Sequence, residues 1–207
     1  MKTIVYVDGF NLYYGALRGT PFKWLDLVAM CRKLLPRHDI RSIKYFTARV
    51  AARPGDPDQA MRQQAYLRAL QASGPVQIVY GHFLTTRVRM PVAGSPPGQQ
   101  RFEWVIKTEE KGSDVNLATH LLVDAFRGRF EAAVVVSNDS DLAEPVRVVR
   151  QELGRVVGML NPHRHPSRGL LRHASFLKPI RPGVVASSQL PSGLFDKDGW
   201  IRKPRQW

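Results

Sequence analysis

Four aspartates stand where a sheet-based enzyme could use them. Asp8 closes the apolar run 3–7, while Asp139 and Asp141 lie in the stretch "SNDSD" that follows the β-branched run 134–136. Asp114 opens an apolar-periodic segment. Carboxylates gathered at one point repel unless a proton or cation neutralises them. The chain is otherwise basic, with 31 Lys/Arg against 17 Asp/Glu and a net charge of +14. There, a cluster of hard oxygen donors predicts Mg2+ or Mn2+. Such an ion positions and activates water and stabilises charge at a phosphate.

The surrounding elements decide whether these acids can meet. Short apolar runs at 3–7, 40–50, 76–84, 132–136 and 155–160 read as strands. Between them, helices are expected near 11–17, over 25–35, after Asp58, over 113–126 and over 142–153. This alternation predicts an α/β three-layer sandwich around a mostly parallel sheet. Ligands of such sheets bind beyond the carboxyl ends of the strands, where Asp8, Asp139 and Asp141 fall. At 100° per residue, Asp114 aligns with Leu117, Ala118, Leu121 and Ala125, so it points toward the sheet from the helix's first turn. Asn11, one turn after Asp8, and Ser137 are expected to support the acids.

Each acid also has a local explanation. Asp8-Gly9 reads as a turn, and Ser113 as a helix cap with Asp114 an ordinary first-turn acid. "SNDSD" reads as a turn with a cap at Ser140 or Asp141. These explanations account for the residues singly but not for their placement at one edge.

Basic residues point to a polyanion. Residues 85–108 read as an inserted β-hairpin or flap around the Gly/Pro-rich "AGSPPGQQ". Its Arg87, Arg89, Arg101 and Trp104 could guide single-stranded RNA by charge and stacking, or Trp104 could pack on the domain. Residues 154–207 hold ten Lys/Arg against Asp196 and Asp198, and Arg164 and Arg168 there form a second candidate surface. Lys111 is placed either at the scissile phosphate or in solvent. The pattern divides the chain into a domain over 1–162 and a basic extension over 163–207. That extension packs on the domain and continues, from Pro182, as a partly extended tail.

"YVDGFNLYYG", "EEKGSDVNLATHLLVDA" and "VVVSNDSDLAEPV" together resemble the NYN domain, a branch of the PIN-like nuclease superfamily, and especially its bacterial LabA-like members. The resemblance covers about residues 1–162. It implies a Rossmann-like PIN fold and metal-dependent endoribonuclease activity. Asp8, Asp114 and Asp139 would be the metal-binding acids, with Asp141 completing or bordering the set and Asn11 supporting it. Asp124 occupies an acidic position often seen in these helices, though on the helical wheel it lies at the margin of the apolar stripe.

The main alternative is a non-catalytic RNA-binding or regulatory module. A haloacid-dehalogenase-type phosphatase would need an aspartate where Phe10 stands, and no Gly-x-Gly-x-x-Gly marks a dinucleotide site. Asp8 interrupts the first apolar run, no segment approaches the ~20 apolar residues of a membrane span, and the single Cys31 fits a reducing cytoplasm.

Overall fold

The computed structural model describes residues 1–94, 96 and 98–207; Ser95 and Pro97, in the predicted flap tip, lie outside the described residues. Six described strands form one parallel sheet: β1 (Lys2–Asp8), β2 (Asp39–Thr47), β3 (Val76–Tyr80), β6 (Ala132–Val136), β7 (Val156–Asn161) and β8 (Phe176–Pro179). Their order is β3-β2-β1-β6-β7-β8. β1 lies at the centre, with Val5 opposite Ile43 on one side and Val134 on the other.

Both faces of the sheet are covered, which is why β1 and β6 read as continuous apolar runs rather than alternating ones. Val5 and Val7 face a layer containing α2 (Leu27–Leu34) and α3 (Gln59–Ala72). Ile4 and Tyr6 face α4 (Ser113–Phe126) and α5 (Ala143–Arg147). The chain builds outward through β2 and β3 and then restarts on the other side of β1 with β6. The reversal between β1 and β6 opens a crevice at their carboxyl ends.

Several boundaries differ from the expectation. The third strand stops at Tyr80, because Gly81 turns the chain out of the sheet. β4 (His82–Pro91) and β5 (Phe102–Lys111) form a separate antiparallel ribbon, paired from His82↔Lys111 to Pro91↔Phe102. The flap is therefore longer than 85–108 and is rooted where β3 ends and α4 begins. Asp58 stands at the start of α3, but its side chain makes no capping hydrogen bond. Beyond residue 162 the chain supplies α6 (Arg168–His173) and the sheet's edge strand β8. Beyond Pro182 come α7 (Pro182–Ala186) and a ribbon of β9 (Gly193–Asp196) and β10 (Gly199–Arg202). Val185, Leu190 and Ile201 bury themselves in the α2–α3 layer and hold the tail there. Among the described residues, no helix is long and apolar enough to cross a membrane.

Candidate functional site

The site grows from the end of β1. Asp8 caps α1 (Gly9–Leu12): its Oδ1 accepts the backbone N–H of Asn11 at 2.9 Å. The chain can pass this close to β2 because residue 9 is glycine. A Cβ there would lie 2.6 Å from the Tyr45 ring and 2.8 Å from the Phe46 carbonyl oxygen. Gly9→Ala is expected to cost about 1–3 kcal/mol of stability through overpacking against an immovable backbone, measurable as a lower urea midpoint.

The "SNDSD" turn is stitched onto this end. The Ser137 hydroxyl donates to Asp8 Oδ2 at 3.0 Å and accepts the Asp139 N–H at 3.1 Å. The Asn138 N–H donates to Asn11 Oδ1 at 2.9 Å. Asp139, rather than Ser140 or Asp141, caps the 3-10 turn Ser140–Leu142, accepting the Asp141 N–H at 3.0 Å. Capping and site-building therefore coincide: the bonds that start each helix also aim its acid at the crevice.

Asp114 arrives from the opposite layer. Gly112, at φ +92°, lets β5 turn into α4, and the cap of α4 is unexpected. Glu110 accepts the Ser113 N–H at 3.0 Å and the Ser113 hydroxyl at 2.7 Å. Ser113 is thus capped rather than capping. Burial pushes the Asp114 carboxyl up to about 6, and the charges of Asp8, Asp139, Glu110 and Asp141 add to the shift. Burial also raises the Asp8 carboxyl, while the hydrogen bonds from Asn11 and Ser137 oppose that rise. All four predicted acids thus belong to one electrostatic group at the crevice, and Glu110 joins them.

The donor set suits a hard divalent cation in type and charge. In the described residues, however, no three His, Cys, Asp or Glu side chains are gathered closely enough to hold a metal ion. The expected Asp8–Asp114–Asp139 set shares an edge but does not form a closed ligand shell.

The other predicted residues divide. Arg164 belongs to the loop after β7 and Arg168 starts α6, and both are exposed. Asn138 ties that loop to the acids: its Nδ2 donates to the His165 carbonyl at 2.9 Å and its Oδ1 accepts the Ser167 N–H at 2.7 Å. Lys111 is exposed beside Glu109 at 3.6 Å. On the ribbon, Arg87 lies over Trp104 at 4.7 Å and Arg89 over Phe102 at 5.0 Å. Trp104 is 60% exposed and so is not packed on the domain. Phe83 meets Phe10 edge-on at 5.8 Å, which fixes the ribbon's root beside the acids. Asp124 is not part of the site. It is 1% exposed and bonded to Tyr6, Lys44 and Arg129.

The NYN domain matches residues 2–178. This chain belongs to the NYN domain family. The match takes in β8 along with all the acids, and the family carries a nuclease-type fold. A curated relative is 32% identical across 100% of this NYN chain and 75% of its own length: the 6-hydroxy-3-succinoylpyridine 3-monooxygenase HspA of Pseudomonas putida (strain DSM 28022 / S16). Among solved structures, the VPA0982 protein of unknown function from Vibrio parahaemolyticus RIMD 2210633 superposes with a TM-score of 0.55. It is 19% identical and covers 87% of this chain and 93% of that one, a likeness of fold.

Proposed function

We propose that this NYN protein is a metal-dependent endoribonuclease that hydrolyses phosphodiester bonds of single-stranded RNA. The observation that carries the reading is the convergence of Asp8, Asp114, Asp139 and Asp141 on the β1–β6 crevice, where the charges of the other three add to the raised proton affinity of Asp114 and that of Asp139 to the raised affinity of Asp8. Asp8, Asp114 and Asp139 share an edge and would have to draw together to hold Mg2+ or Mn2+, with Glu110 and Asp141 at its margin. When bound, such an ion supplies an activated water and charge stabilisation at the phosphate.

The protein's own part is positioning. Asp8 is fixed through both oxygens by Asn11 and Ser137. Asn138 holds the loop bearing Arg164 and Arg168 beside the acids, where their guanidinium groups can take the phosphates flanking the cut. The ribbon, rooted at the same edge, offers Arg87, Arg89, Arg101 and Trp104 to the strand.

Incubating the protein with labelled single-stranded RNA tests this. Cleavage is expected with Mn2+ or Mg2+ and none with chelator. Metal-independent cleavage overturns the metal dependence, and intact RNA across a panel of sequences overturns the reading in favour of the binding module.

One observation favours a second reading. The P. putida relative, matched along the whole of this chain, bears the name of a monooxygenase of a substituted pyridine. On that reading this protein would consume dioxygen with such a pyridine and an electron donor, and RNA would stay whole.

A further inference from the structure

Beside the acids lies a cavity of about 510 Å³, within the roughly 300–1,000 Å³ of pockets that hold small ligands. Its mouth shares Gly9, Phe10 and Glu110 with the carboxylate edge. Its walls are rings: Tyr45 on β2, Tyr66 on α3 and Trp207 from the tail, with Tyr66 packed edge-on against both of the others at 6.4 and 5.9 Å. Four Arg/Lys side chains line it against two acids, and with Arg62 paired to Asp56, Arg18, Lys23 and Arg53 are left to meet an anion on the side away from Asp8.

Two polar groups on these walls lack partners. Tyr45 is 7% exposed, and its hydroxyl makes no hydrogen bond to any described residue. Burial and the nearby Asp8 charge push that hydroxyl's pKa up, so it remains a donor. Arg62 spends Nη2 on Asp56, while its buried Nη1 has no partner among the described residues. Buried donors in proteins are nearly always satisfied, so the Arg62 Nη1 is an exception, while the unbonded Tyr45 hydroxyl opens on the cavity and is free to donate to an acceptor there. Tyr66 differs, because its hydroxyl already donates to the Leu25 carbonyl at 2.9 Å.

We infer that this cavity binds one aromatic ring carrying an anionic group, packed against the Tyr66–Trp207 pair, with Tyr45 and Arg62 donating to its acceptors. The inference goes beyond the nuclease reading. The same chemistry is met by a nucleotide of a strand lying across the acids or by a free aromatic acid.

Isothermal titration in chelator keeps RNA whole and separates binding from cleavage. The probes are uridine 5′-monophosphate, a short oligouridylate and 4-hydroxybenzoate. At least one is expected to bind below about 1 mM. Tyr45→Phe, which removes only an unpartnered hydroxyl, is expected to weaken it several-fold with an unchanged melting temperature. Arg62→Gln is expected to weaken it about tenfold or more. Binding of the two uridine probes assigns the site to nucleotides, and binding of the benzoate alone assigns it to free acids. No binding by any probe, or binding untouched by both substitutions, overturns the inference. Either result leaves the cleavage assay standing on its own.

Discussion

Asp8→Asn is expected to lower metal-dependent RNA cleavage by more than about 100-fold while leaving the protein folded. The loss follows from the position of Asp8, at the end of the central strand and inside the group of acids that would hold the cation. Replacing the supporting partner of a metal ligand commonly costs about 10–100-fold. Ser137→Ala, which removes the hydroxyl on Asp8 Oδ2, sets that lower rung, and loss of the carboxylate itself lies above it. The fold is expected to survive because asparagine caps a helix about as well as aspartate, so the Asn11 N–H keeps its acceptor. The substitution also removes a charge that burial disfavours. Initial cleavage rates at saturating Mn2+, read beside circular dichroism melting curves, check both halves. Equal rates for Asp8→Asn and wild type would show that the acids are not the catalytic centre.

Much of this was legible in the sequence for a physical reason. β1 and β6 are buried on both faces, so they appear as uninterrupted apolar runs, and each ends at the point where the chain must turn polar. Asp8 and Asp139 could be placed from that transition, and Asp114 from the helical period. Contacts spanning many residues were not legible. Nothing in the local pattern of "TEEKGSD" distinguishes Glu110, which caps α4, from Glu109, which pairs with lysines. The length of the ribbon was hidden because "HFL" continues the apolar texture of β3, and only Gly81 marks the exit. The tail's Pro/Gly-rich composition masked three apolar anchors, Val185, Leu190 and Ile201, spaced too widely to show a period. The cavity is likewise non-local, joining β2, α3 and Trp207.

The acid that the helical wheel placed at the margin carries the second large effect, on stability. Asp124 accepts from the Tyr6 hydroxyl at 2.8 Å, from Lys44 at 2.5 Å and from Arg129 at 2.9 Å. Lys44 comes from β2, eighty residues earlier, and is itself buried. Asp124→Asn leaves that ammonium beside an amide with no charge to meet it. Breaking a buried pair from one side commonly costs about 3–5 kcal/mol, a large share of the roughly 5–15 kcal/mol that holds a domain folded. Urea unfolding should show that loss. In Lys44→Met/Asp124→Leu/Tyr6→Phe, which also removes the buried hydroxyl that Asp124 accepts from, most of it should return, because apolar replacement of all the buried partners is often neutral or better. A triple variant as unstable as the single would mean that packing around Asp124 matters rather than its charge. The pH dependence has a definite sign. Burial alone would raise the Asp124 carboxyl, but the Lys44 and Tyr6 bonds outweigh it and hold the group below its ordinary value. Its contribution is therefore full above the unfolded value of about 3.9 and is lost as pH falls through the folded one. Wild type should lose more stability than Asp124→Asn over that acid range. The folded fraction of Asp124→Asn should still cleave RNA at the wild-type rate. Asp114 and Asp124 lie ten residues apart on one helix, so the pair separates an acid that serves the crevice from one that serves the sheet.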